Sequence, residues 1–122
     1  MAFADPQTIT VDGTSFACAR SFTGTEMGKF VSADTSYKLE VTPRVLRTGR
    51  TQRSAAAINT KVTADPLVTT TNIRVSDTIR LVIDRPAQGY SDAEVVKQVS
   101  GFIAWLTASS NANLVKLVAG EN

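Results

Sequence analysis

The stretch Ile73–Leu106, "IRVSDTIRLVIDRPAQGYSDAEVVKQVSGFIAWL", decides the fold, because the apolar period changes inside it. In its first part Val75, Ile79, Leu81 and Ile83 alternate with Arg74, Ser76, Thr78 and Arg80, which is the period of a strand covered on one side. From Ser91 onward Val95, Val99, Phe102, Ile103 and Leu106 recur at i, i+4, i+7, i+8 and i+11, the stripe of an amphipathic helix. Ser91 with Glu94 three residues later forms a capping box, and Tyr90 and Val95 stand where a hydrophobic staple would sit. Asp92 and Glu94 suit the positive end of the helix dipole. "SSNAN" (109–113) breaks this helix and caps a second, short one carrying Leu114, Val115, Leu117 and Val118, with Gly120 as its stop.

Upstream, residues 7–85 keep the two-residue period between turn signals. "QTITV" ends at Asp12-Gly13, a strong hairpin turn, and "TSFACARSF" returns from it. "KFVSA" reads as a short strand after the loop "TGTEMG". In "SYKLEVTPRV", Tyr37, Leu39, Val41, Pro43 and Val45 share one face, and Lys38, Glu40, Thr42 and Arg44 the other. Pro43 cannot donate to a ladder, so a bulge or irregular pairing is expected there. After Thr48-Gly49, "RSAAAINTKVTA" pairs back, with Ile58 and Val62 expected on the core face and Arg53, Ala55, Ala57, Asn59, Lys61 and Thr63 on the polar one. "DPLVTTTN" is a loop before the last strand. Strands followed by helices predict an α+β domain with the helices laid on one sheet face. We expect one domain, 1–122, with sheet over 1–86 and two helices over 91–119.

The bulk numbers narrow the chemistry. The chain has 122 residues, 43% hydrophobic and 20% charged, as in an ordinary globular domain. No apolar run is long enough to span a membrane, and the first residues lack the basic and apolar regions of a secretory signal. The single Cys18 excludes an internal disulfide and suits a reducing compartment. There is no histidine. That removes Ser-His and Cys-His nucleophile pairs and a structural zinc site. No acid–base pair or metal cluster converges, so we expect no enzyme, no metal and no cofactor. "GTEMGKF" fails as a phosphate loop because the glycine spacing is short and Phe30 stands where Ser or Thr is needed. The stripe around Trp105 and the lone Cys18 read as core.

The charge is uneven. Between 38 and 61 six cations (Lys38, Arg44, Arg47, Arg50, Arg53, Lys61) meet Glu40 alone, although the whole chain carries only +2. With Arg74 and Arg80, four of these cations fall by parity on one polar sheet face beside Thr, Ser and Asn. Such a face suits RNA: cations meet phosphates and short polar groups reach base edges. It shows no surface aromatics of the kind that make a stacking platform.

This order of elements resembles the coat proteins of single-stranded RNA bacteriophages. The likeness is carried by "YKLEV", "PRVLRTGRTQR", "INTKVTADP" and "YSDAEVVKQVSGFIAWL" leading into a second short helix, and spans nearly the whole chain. The resemblance implies an intertwined homodimer whose sheets join edge to edge and whose helices cross the partner's sheet. It implies dimers assembled into an icosahedral shell around genomic RNA, a location in the virion after synthesis in the bacterial cytoplasm, and binding of an RNA hairpin that represses replicase translation. The loop 65–72 would contact the symmetry axes.

Carried over by position, Thr42 and Asn59 match contacts to an extruded adenine. Lys38, Arg44, Arg53 and Lys61 match the RNA-facing surface around it, and Thr78 and Arg80 extend it on the last strand. Glu40 and Ala57 depart from the family's hydroxyl-rich pocket; the carboxylate needs a partner such as Lys38 or Lys61, or a base amine. The rival reading is a cellular dimeric RNA-binding β-sheet domain that forms no shell.

Overall fold

A computed structural model of the chain describes residues 2–24 and 27–122. Thr25 and Glu26, in the loop expected at 23–28, lie outside the described residues.

Six strands form one antiparallel meander in chain order: β1 (Gln7–Val11), β2 (Thr14–Thr23), β3 (Gly28–Ser32), β4 (Tyr37–Val45), β5 (Thr51–Ala64) and β6 (Asn72–Arg85). The turns follow from their residues. Asp12 and Gly13 both adopt positive φ, 49° and 76°, which joins β1 and β2 with a tight hairpin. Gly49 at φ 80° lets the β4–β5 connection close through the Leu46 N–H to Arg50 carbonyl bond of 2.8 Å. The loop before β6 is closed by the Asp65 N–H to Thr71 carbonyl bond, also 2.8 Å.

Cross-strand partners share a face, so the register assigns every strand side chain. One face is apolar: Phe16, Cys18, Phe30, Tyr37, Leu39, Val41, Ala55, Ala57, Ile79, Leu81 and Ile83 align across the sheet. Cys18 and Phe30 are buried, Phe16 and Tyr37 are in ring contact at 4.4 Å, and the Arg20 guanidinium lies 4.7 Å from the Phe30 ring centroid. Burial raises the Cys18 thiol pKa, helped by the nearby Asp34 charge. Arg20 also ties down the N-terminal segment: its backbone N–H donates to Asp5 Oδ1 at 2.9 Å and its guanidinium to the Phe3 carbonyl.

The irregularity expected at Pro43 in β4 is not there. The β4–β5 register runs unbroken through Pro43, which pairs with Arg53. The reason is local: the β3–β4 ladder ends at Gly28 and Val41. Beyond it β4 is an edge on that side, where a missing N–H costs no ladder bond. The irregularity falls instead in β2, between Arg20 and Phe22, with Ser21 the extra residue.

The contacts divide the chain into two units, 1–87 and 88–122. The second is helical between Asp92 and Ala119 (α1), with a helical stretch on either side of a non-helical break at 108–111. It is kinked where the sequence breaks: Ala108 is extended and Ser109, Ser110 and Asn111 are left-handed. Asn113 Nδ2 donates across the kink to the Trp105 carbonyl at 2.8 Å. The capping box forms, with the Glu94 N–H donating to Ser91 Oγ at 3.3 Å and the Ser91 N–H to Glu94 Oε2 at 2.8 Å. The Ser91 N–H, and then the Ser91 hydroxyl donating to the same Oε2 at 3.2 Å, lower the Glu94 pKa. At the other end Gly120, at φ 80°, closes a Schellman cap: its N–H donates to the Leu117 carbonyl, and that of Glu121 to the Lys116 carbonyl. No helical residue is fully buried: Val95, Val99 and Leu106 of the stripe are half-buried, and Phe102, Ile103 and Trp105 are each about half exposed (52, 47 and 56%).

Candidate nucleic-acid interface

The second sheet face is built from short rows across β3 to β6. One row reads Lys29–Glu40–Ala56–Arg80, the next Thr42–Ser54–Val82, and the ends of the patch are Arg44–Gln52–Asp84 and Lys38–Ile58–Thr78. Arg74 and Ser76 continue it along β6, opposite Val62 and Thr60. Ala56 is the low point. With a methyl group between the longer side chains of Glu40 and Arg80, it floors a depression of about 340 Å³ that Thr42, Arg44, Ser54 and Met27 also line.

The acids on this part of the face are engaged by cations. Lys29 Nζ lies 3.6 Å from Glu40 Oε1, and Arg50 Nε donates to Asp84 Oδ1 at 3.1 Å. Glu40 therefore finds its partner in Lys29, one strand away, and not in Lys38 or Lys61. Lys38, Arg44, Arg74 and Arg80 are exposed, so the face presents cations and hydroxyls to solvent. Among the described residues no group of three or more Cys, Asp or Glu gathers as a metal site, and no helix is long and apolar enough to cross a membrane.

The register sorts the sequence-derived site residues into two sets. Lys38, Thr42, Arg44, Thr78 and Arg80 share the polar face, as expected. Arg53, Asn59 and Lys61 do not: they pair with Pro43, Tyr37 and Val75 and so belong to the apolar face. Ile58 and Val62, expected in the core, sit among the polar rows instead, and Val62 is 64% exposed. The physical reason is the run Ala55-Ala56-Ala57. Methyl groups fit either side of a sheet, so alternation cannot fix the facing of β5, and a shift of one residue reverses the whole strand. Thr42 and Asn59 cannot bracket one base from opposite sides of a sheet.

Three residues of the face were missed. Lys29 becomes a neighbour of Glu40 only through the β3–β4 register. Ser54 replaces Arg53 once β5 is turned over. Phe22 reaches the polar face through the bulge at Ser21 and aligns with Lys29; the regular spacing of Phe16, Cys18, Arg20 and Phe22 carries no sign of it.

No family model and no curated protein matches the sequence. Solved structures do. The virus-like particle of bacteriophage AVE019 superposes with a TM-score of 0.80 at 14% identity, covering 98% of this chain and 97% of that one. The bacteriophage EMS014 coat protein gives 0.76 at 10% identity, over 98% of both chains. The bacteriophage GA capsid protein gives 0.64 at 12% identity, over 97% of this chain and 95% of that one. At such identities the likeness speaks for the architecture: an antiparallel sheet of six strands followed by a C-terminal helix, in the order the resemblance led us to expect. The chain has the fold of the RNA bacteriophage coat proteins.

Proposed function

We propose that the chain is a structural capsid protein of a single-stranded RNA bacteriophage, acting as a homodimer that assembles into an icosahedral shell around genomic RNA. The observation that carries this reading is the likeness to phage coat proteins and virus-like particles over almost the whole of both chains. A second observation supports the intertwined dimer. The apolar sheet face leaves Ile79 72% exposed, and α1 has no buried residue. A helix of this kind draws its stability from packing an apolar face. A second copy supplies both missing covers at once, α1 of each subunit lying on the partner's sheet.

The sheet edges support the same arrangement. β6 is a fourteen-residue strand with β5 as its one neighbour. A long open edge is a template for pairing with another chain, and β6 against its symmetry mate would give a continuous sheet across the dimer. The polar face would then look inward at the genome. Lys38, Arg44, Arg74 and Arg80 would meet phosphates, while Thr42, Ser54 and Thr78 reach bases or riboses. Hairpin binding and repression of replicase translation belong to the same proposal, with the depression over Ala56 taking the base and Asn59 left out of it.

The test is expression of the chain alone, followed by electron microscopy and sizing. The proposal expects uniform closed particles containing host RNA. A protein that stays a small RNA-binding dimer at every concentration would favour the cellular-domain reading.

A further inference from the structure

The bulge in β2 places an aromatic ring where the sequence offered none. Arg20 pairs with Phe30 and Phe22 with Lys29, so the extra Ser21 turns Phe22 from the apolar face to the polar one. The ring is 53% exposed. It takes the space that a side chain at Gly24 would need: a Cβ there would lie 2.9 Å from the Phe22 ring.

The ring borders a notch in the sheet. The β3–β4 ladder stops at Val41 while β4 continues to Val45, so one edge of β4 stands open. The notch between this edge and the end of β2 holds about 900 Å³ and is lined by Phe22, Thr42, Pro43, Arg44, Val45 and Arg53. It combines an aromatic ring, the hydroxyls of Thr42 and Thr51, and the guanidiniums of Arg44 on the polar face and Arg53 on the apolar one, and no acid lines it among the described residues. That charge favours an anionic occupant. Pro43 offers no N–H on the open edge, so a protein strand cannot extend the sheet there with a regular ladder.

We infer that this notch is a stacking seat for one unpaired base of single-stranded RNA. The Phe22 ring takes the face of the base, and Arg44, on the same sheet face, takes a flanking phosphate. The seat rests on the RNA-facing reading of the polar sheet. It adds a sequence-tolerant contact, since every base has a face to stack, and it requires the base to be unstacked from its neighbours, as in a loop or a single strand.

The test uses RNA-free protein and fluorescence anisotropy with two end-labelled probes of about ten nucleotides, inside the usual range of single-strand site sizes. One is oligo(A); the other is an abasic ribose-phosphate chain of equal length. Phe22→Ala should weaken oligo(A) about 5- to 150-fold and leave the abasic probe within about twofold, because the phosphate contacts remain. Phe22→Trp should keep the oligo(A) affinity, and Arg44→Ala should weaken both probes alike. An equal loss on the two probes in Phe22→Ala, no loss on either, or a Phe22→Trp variant as weak as Phe22→Ala would overturn the seat. So would loss of particles in Phe22→Ala with normal binding of both probes, which would make the notch a contact between copies. If the unmodified protein binds neither probe, the RNA-facing reading fails and the seat falls with it.

Discussion

Lys29 and Glu40 face each other across the β3–β4 ladder with Nζ and Oε1 3.6 Å apart. Glu40 would otherwise set a negative charge in the middle of a surface otherwise rich in cations and hydroxyls. Lys29 offsets that charge. It does so with little effect on folding, since a pair still partly open to solvent contributes about 0–1 kcal/mol.

If the polar face meets RNA as proposed, the pair should matter more for binding than for stability. Lys29→Ala should weaken RNA binding by more than the loss of one phosphate contact, because it also uncovers Glu40. Adding Glu40→Gln to that variant should recover part of the loss. Salt titrations of RNA binding measure both effects. A double variant no tighter than Lys29→Ala would mean that Glu40 does not face the RNA.

The two faces should respond differently to mutation. On the polar face, Arg80→Ala or Lys38→Ala removes about one phosphate contact, lowering the salt slope of log K by about 0.7 for a single strand. Lys61→Ala and Asn59→Ala act on the apolar face, so RNA affinity and slope should stay as they were while dimer stability changes. Salt dependence of RNA binding in these four variants is the check. A slope lowered by Lys61→Ala as much as by Arg80→Ala would contradict the register of β5.

How much of this was legible in the sequence varies by element. The strands, their order and the hairpin turns could be read because glycine, aspartate and the apolar alternation each act locally, as at Asp12-Gly13 and along β4. The cap at Ser91 is equally local. The facing of β5 was not legible: Ala55-Ala56-Ala57 has no preferred side, and Ile58 and Val62 pointed the wrong way. The bulge at Ser21 was hidden too, because an inserted residue in a run of mixed side chains changes no local propensity. The break expected at 109–113 was legible because Ser and Asn favour caps and turns, and the backbone leaves the helix there, at 108–111, through left-handed residues.

The apolar stripe of α1 provides a test of the dimer. Phe102 and Trp105 are stacked at 5.9 Å and each about half exposed in one chain. If the partner's sheet covers them, Phe102→Asp leaves an unpaired charge in an apolar interface, a cost of several kcal/mol. The variant should yield neither soluble dimers nor particles. The chain's single tryptophan should also emit at shorter wavelength in the assembled protein than after dissociation. A folded, stable Phe102→Asp monomer by sizing and circular dichroism would contradict the intertwined arrangement.

Acid should loosen the β3–β4 turn in a defined window. Asp34 accepts hydrogen bonds from the Ser32 and Ser36 hydroxyls, each 2.7 Å, and from the Ser36 N–H at 3.1 Å. The Ser32 bond leads in lowering its pKa to about 2. The folded-state pKa is thus below the unfolded value of about 3.9. The stabilisation is complete above that value and is lost as the pH falls through about 2. Asp34→Asn should lower stability near neutral pH and flatten its decline across this interval. Thermal melts from neutral pH down through the interval measure it; an unchanged decline in Asp34→Asn would show that other groups govern it.

Whether this chain builds a shell is decided by electron microscopy of the purified protein expressed alone. Closed particles of uniform diameter that contain RNA and disappear in Phe102→Asp are expected. A preparation that remains dimeric, with no closed particles at any protein concentration or salt, would contradict shell assembly.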